Sequence, residues 1–167
     1  MQLSRFAALA GLVAAASAQK VKVSECCHSP AGLFQLLILL AVLLGDSITE
    51  ITCWRPLVWS QLVTAGLASN VDFVGSQHSI PATCSKPAGF DQDHEGHSGW
   101  QAYDIARNNI VGWVQNTKPD VVQFMLGTND VNIGKHNVSA VVDAYTTMLK
   151  AMRAANPKVK VIVGLSC

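Results

Sequence analysis

The chain has 167 residues, half of them apolar and only 14% charged. This gives room for one domain with a substantial core and excludes a disordered segment. Twelve basic and eleven acidic residues leave a formal net charge of +1 and are scattered along the sequence, which excludes a basic nucleic-acid-binding surface and suits a neutral substrate.

Residues 1–18 carry one early positive charge, Arg5, then a short apolar run that ends in Ala16-Ser17-Ala18. That is the layout of a signal peptide, so the protein is expected to be secreted and extracellular. A second apolar run, Leu33 to Leu44, also falls short of the ~20 residues of a membrane-spanning helix. Its last third reads as a buried strand ending at Leu44, and no membrane partner is expected.

Beyond residue 40, strand-like and helix-like segments alternate. "RPLVWSQLVTAGL" places Leu57, Val58, Leu62, Val63 and Leu67 at helical spacing, with Pro56 near its start and Gly66 near its end. "VDFVG" predicts a short strand. Residues 76–99, rich in Gly, Pro, Ser and His, read as one long loop, and loops of that length in compact domains are usually functional or disordered. "WQAYDIARNNIVGWVQNT" predicts a helix with Trp100, Tyr103, Ile110, Trp113 and Val114 buried. "DVVQFMLG" has the continuous apolar character of a strand covered on both faces. "SAVVDAYTTMLKAMRAANP" predicts an amphipathic helix stopped at Asn156-Pro157, and "KVKVIVG" a further strand.

Alternating strands and helices predict an α/β fold, a parallel sheet covered by helices. Sites in such sheets form at the carboxyl ends of the strands. Gly45-Asp46-Ser47 follows one strand and Gly127-Thr128-Asn129-Asp130 another, so both turns should share one edge.

A serine hydroxyl is a weak nucleophile until a base takes its proton. Ser47, Gly99 and Asn129 nevertheless form a chemically coherent set. Gly99 lets a backbone N–H approach a ligand closely, and the Asn129 amide can donate to a developing oxyanion. Taken singly, each motif reads equally well as an ordinary capped turn.

Together and in this order, "GDSIT", "HSGW" and "GTND" resemble the SGNH, or GDSL-type, hydrolase family. Within it, "LLGDSITE…CWRP", "VDFVGS", "HEGHSGW" and "VVQFMLGTNDV" look like the acetyl xylan esterases of carbohydrate esterase family 3. The resemblance implies a three-layer, flavodoxin-like domain over residues 43–167, acting without cofactor or metal. It implies Ser47 as nucleophile, and as oxyanion hole the N–H groups of Ser47 and Gly99 with the Asn129 amide. The implied substrate is an O-acyl, above all O-acetyl, ester on plant cell-wall carbohydrate; a lipid or other acyl ester is the alternative. Trp54 and Trp100 become candidates to wall a sugar cleft. Asp46 is expected to shape the nucleophile turn and Asp130 to anchor its own loop. His97 is expected to line the cleft or fix the Gly99 loop, and the protein to act as a monomer.

The family's base is a histidine in an Asp-x-x-His block after the fifth strand. No such block follows in this sequence, so the last strand and the catalytic block are expected to be missing, and an inactive fragment is the rival reading. Asp91-x-x-His94 has the right internal spacing but precedes the "HSGW" block, and it remains a substitute base only if the fold brings it to Ser47. Residues 19–42 form an N-terminal segment. It is either a genuine extension or a translated intron, since "VSECCHSPAGLFQLLILLAV" separates "KVK" from "LLGDS" where the family runs straight on.

There are five cysteines. Cys26 and Cys27 are vicinal and Cys167 is terminal, which leaves Cys53 and Cys84, both beside turn-prone sequence, as the expected disulfide. Asn137-Val138-Ser139 is an N-glycosylation acceptor pattern. Asp91, Asp93, His94, Glu95 and His97 are ligand-capable, but no second, separated pair completes a familiar metal site.

Overall fold

A computed structural model describes residues 38–164. The signal-peptide reading, nearly all of the 19–42 segment, and Cys26, Cys27 and Cys167 lie outside the described residues.

Strand β1 (Leu39–Gly45) runs through the centre of the sheet. It is followed by the one-turn helix α1 (Ser47–Glu50), helix α2 (Trp54–Thr64), a 3-10 turn (Ala68–Asn70) and β2 (Val71–Phe73). Then come β3 (Gln77–His78), β4 (Asp93–Gly96), α3 (Ala102–Asn108), α4 (Ile110–Thr117), β5 (Val121–Met125), α5 (Thr128–Asn132), α6 (Val138–Ala155) and β6 (Lys160–Val163). β1 pairs in parallel with β5 on one side, and β5 pairs in parallel with β6. On its other side β1 pairs first with β2 and then, at Leu44 and Gly45, with β4. The connections are crossovers, as parallel pairing requires.

Alternation along β1 separates two cores. Ala41 and Leu43 face α2, where Val58, Trp59 and Leu62 close a cluster with Phe73 and Phe90. Val42 and Leu44 face the opposite layer, where Ile105, Ile110, Val114, Met148 and Met152 from α3, α4 and α6 pack on Val122 and Phe124. Both faces of β1 are therefore dry, which explains why its sequence reads as an unbroken apolar run. The expected three-layer α/β architecture is present.

Two expectations need correction. Residues 76–99 are not one loop: β3 and β4 form an antiparallel pair within them, with Gln77 opposite His94 and His78 opposite Asp93. β4 also joins the parallel sheet through Glu95 and Gly96. The 100–117 segment is two helices that meet at Asn109, which is the C-cap of α3 and the N-cap of α4. Asparagine competes with helical hydrogen bonds and favours such junctions. Ile110 and Val114 are buried as expected, whereas Tyr103 and Trp113 are only partly covered and Trp100 is 38% exposed.

The expected disulfide joins Cys53 to Cys84, across a sequence separation of 31. Closing a loop of that length removes unfolded-state entropy worth about 3–4 kcal/mol. The Cys53→Ala/Cys84→Ala double variant should thus lose about 3 kcal/mol of unfolding free energy in urea titration. An unchanged urea midpoint would mean that the crosslink adds nothing to stability.

Candidate active site

β1 ends at Gly45, and the chain turns at once into α1. A Cβ on Gly45 would lie 2.1 Å from Thr49 Oγ1, and one on Gly96 2.8 Å from the Glu50 nitrogen. Only glycines let the short helix sit this close to the two strand ends. Asp46 caps α1, its Oδ1 accepting from the Ile48 N–H at 2.9 Å, as expected for a turn-shaping role. Burial pushes the Asp46 carboxyl up, with a smaller push from Asp130, against the lowering by its Ile48 hydrogen bond.

Strand register gathers the predicted residues at one edge. Gly45 lies opposite Gly96 of β4 and Met125 of β5, so the turns at 97–100 and 127–130 flank Ser47. The His97 N–H donates to the Gly45 carbonyl at 2.9 Å, and the Ser98 N–H donates to Glu50 Oε2 at 2.6 Å. Hydrogen bonding from the Ser98 side chain, with this backbone bond as a smaller contribution, holds the Glu50 carboxyl below the usual range against the opposing effect of burial. Gly99 follows with φ +82°, and a Cβ placed on it would meet nothing within 4 Å. Its N–H has no acceptor among the described residues.

The half-buried Asn129 donates through Nδ2 to the Trp100 carbonyl at 3.0 Å. The second contact, to Asp46 Oδ2, is 3.5 Å, too long to hold the other amide hydrogen firmly. One N–H thus fixes the orientation while the other remains available to a ligand. Asp130 reaches further than its own loop. Fully buried, it accepts the Ala102 and Tyr103 N–H groups at 2.8 and 2.9 Å, tying the 127–132 turn to the first turn of α3. Those orphan donors and the carboxylate charge complement each other.

His97 is engaged within its loop. Its Nε2 lies 2.7 Å from Glu95 Oε1, and its ring stacks on Trp100 at 4.3 Å and on Trp113 at 5.0 Å. Glu95 is buried and also accepts the Ser76 N–H at 2.8 Å and the Ser76 hydroxyl. Trp54 directs its indole N–H to the Ile48 carbonyl at 3.0 Å, and its ring packs against the α2-side core. Its place is the support of α1, whereas Trp100 offers an exposed ring face beside Asn129.

No Asp91–His94 dyad forms. Asp91 accepts the Phe73 and Asp93 N–H groups at 2.7 and 3.1 Å. His94 has no exposed surface; its Nδ1 accepts the Gly96 N–H at 3.0 Å and its Nε2 faces Ser79 Oγ at 2.9 Å. Nδ1 being an acceptor fixes the neutral tautomer with Nε2–H donating to Ser79. Burial, then the Arg55 charge, lowers the imidazole to about 4. The ligand-capable cluster is likewise divided, because β4 alternation and these partners commit each side chain separately. His78 pairs with Asp93 and His136 stacks on Tyr103 at 4.0 Å. Among the described residues, none hydrogen-bonds to Ser47 Oγ.

Sequence reasoning missed Arg55. Its guanidinium is fully buried, and among the described residues it forms no direct ion pair, the Glu50 charge acting on it only through space. Nε donates to the Thr49 carbonyl at 2.8 Å, and the terminal nitrogens to the carbonyls of Glu50, Ser79 and Gln92 at 3.0–3.3 Å. It therefore bolts the end of α1 to both ends of the segment between β3 and β4. Only the rarity of a buried cation could have flagged it, and burial is invisible in a lone "CWRP".

The model of the GDSL-like lipase/acylhydrolase family matches residues 43–167. The chain belongs to that family. Among solved structures, this GDSL-like chain is 72% identical to a carbohydrate esterase family 3 protein from Talaromyces cellulolyticus, with a TM-score of 0.75. It is 71% identical, with the same TM-score, to a serine-to-alanine mutant of an acetyl esterase holding an acetate ion. A family 3 carbohydrate esterase from Clostridium thermocellum follows at 32% identity and a TM-score of 0.61. Each match covers 75% of this GDSL-like chain and 60–61% of the other, so the chain spans about three fifths of the length of these relatives. No curated protein matches it. No helix among the described residues is long and apolar enough to cross a membrane.

Two outcomes are expected. Arg55→Met leaves four carbonyls without their buried donors and should lower unfolding free energy by about 3 kcal/mol or more, measured by urea titration. His94 is depressed in the folded state, so its contribution to stability is present above the unfolded value of 6.5 and is lost as pH falls toward about 4. Thermal melts should show the loss over that window, and His94→Gln should flatten it. Equal pH slopes for variant and parent would refute the assignment.

Proposed function

We propose that this chain supplies the nucleophile and oxyanion hole of a secreted serine esterase acting on O-acetyl groups of plant cell-wall carbohydrate. Ser47 Oγ attacks the ester carbonyl, and the oxygen that becomes negative is held by the N–H groups of Ser47 and Gly99 and by the Asn129 amide. Collapse of that intermediate expels the sugar hydroxyl and leaves an acyl-serine, which water then hydrolyses. The observation that carries this reading is the Gly99 N–H, which has no acceptor among the described residues and sits in a left-handed turn just after β4, whose Gly96 pairs with Gly45 at the start of the Ser47 turn. The likeness to an acetyl esterase whose serine-to-alanine mutant was solved with an acetate ion supports it. Trp100 contributes an exposed, stacked ring against which a pyranose face can lie.

A specific observation favours a second reading. Ser47 Oγ has no base among the described residues, and without proton transfer a serine retains only what binding and the oxyanion hole provide. The chain would then bind its ester without turning it over.

Acetate release from acetylated xylan separates the two. On the esterase reading, Asn129→Ala lowers the rate about 10²–10³-fold, and Ser47→Ala abolishes it. Turnover unaffected by Ser47→Ala rejects the nucleophile assignment. Preference for acetyl over long-chain p-nitrophenyl esters decides against the alternative acyl substrate.

A further inference from the structure

We propose that Asn137 is a modification site whose side-chain amide carries an N-linked oligosaccharide. Asn137-Val138-Ser139 is the single such acceptor triplet in the sequence, and all three residues are exposed in the structure, Val138 by 76%. Asn137 is also the N-cap of α6, and the cap uses only the carbonyl end of the amide: Oδ1 accepts the Ala140 N–H at 2.9 Å. The Nδ2 end has no partner among the described residues.

A sugar on Nδ2 therefore breaks no hydrogen bond, and because the amide stays planar, Oδ1 still caps the helix. Two other asparagines differ in this respect. Asn156 directs Nδ2 to the Pro119 carbonyl at 2.9 Å, and Asn129 directs its own to Trp100. Neither could be substituted there without a loss. Its neighbours in sequence are open as well: Val131, Ile133, Val138 and Val142 expose between 53% and 76% of their surface.

The chemistry is group transfer from a lipid-linked oligosaccharide pyrophosphate. Nδ2 forms a bond to the anomeric carbon, and the bond from that carbon to the pyrophosphate oxygen breaks. The lipid pyrophosphate leaves with the electron pair, and the amide proton passes to base. No oxidant or reductant is required. The inference rests on the proposed secretory route.

The test removes that dependence by placing the full chain behind a cleavable secretory leader in a eukaryotic host and isolating the leader-processed protein. Its mass should fall on treatment with an N-glycanase. Ser139→Ala, which leaves the Asn137 cap intact, should lack the glycanase-sensitive mass, and Ser139→Thr should regain it. Leader-processed parent protein of unmodified mass would overturn the proposal, as would a glycanase-sensitive mass that persists in Ser139→Ala. The same chain without the added leader, run in parallel, reports on secretion alone.

Discussion

A buried guanidinium surrounded by carbonyl oxygens sets the geometry of this site. Arg55 makes no direct ion pair among the described residues, so beyond the charge of nearby Glu50 it is stabilised by peptide dipoles from three places far apart in sequence. The α1 carbonyls it holds belong to a helix too short to satisfy its own ends. The segment between β3 and β4 has little regular structure, and Arg55 takes the carbonyls at both of its borders. One side chain thus completes the hydrogen bonding of the nucleophile turn and of the long connection, and desolvation draws its own affinity for the proton down to about 10. It still keeps its charge under any physiological condition, which a lysine in so dry a place would not reliably do.

Around that bolt, carboxylates act as backbone clamps. Glu50 holds the Ser98 N–H, Glu95 holds Ser76 and His97, Asp46 caps α1, and Asp130 takes two N–H groups at the start of α3. Each ties together segments that meet only at the carboxyl ends of the strands. The acidic residues near Ser47 are in consequence already committed to structure. Among the described residues, the Gly99 N–H and the second Asn129 hydrogen lack a firm acceptor, as the proposed oxyanion hole requires.

The sheet and its helices were legible because β1 is dry on both faces, β5 is largely apolar, and α6 keeps a helical apolar period. The 76–99 segment was not. β4 buries His94 and Glu95, residues that read as loop, and they are tolerated inside only because Ser79, Ser76, Gly96 and His97 supply their hydrogen bonds. Such partners are fixed by tertiary contact and leave no periodic trace. For the same reason the motifs located Ser47, Gly99 and Asn129, but could not show that Asp130 supports α3 or that Asp91 ignores His94. Trp100 was expected either in a core or on a cleft; its partial exposure places one face in each environment.

The disulfide ends at the joint that Arg55 already fastens. Cys53 stands two residues before Arg55, and Cys84 lies in the connection whose border carbonyls Arg55 binds. Covalent and ionic fastenings therefore overlap at one seam of the molecule. A crosslink acts mainly by limiting the unfolded chain, whereas the guanidinium acts on the shape of the folded one. In a reducing compartment the protein would lose endurance before it lost form, and the serine turn would keep its setting for as long as the chain stayed folded.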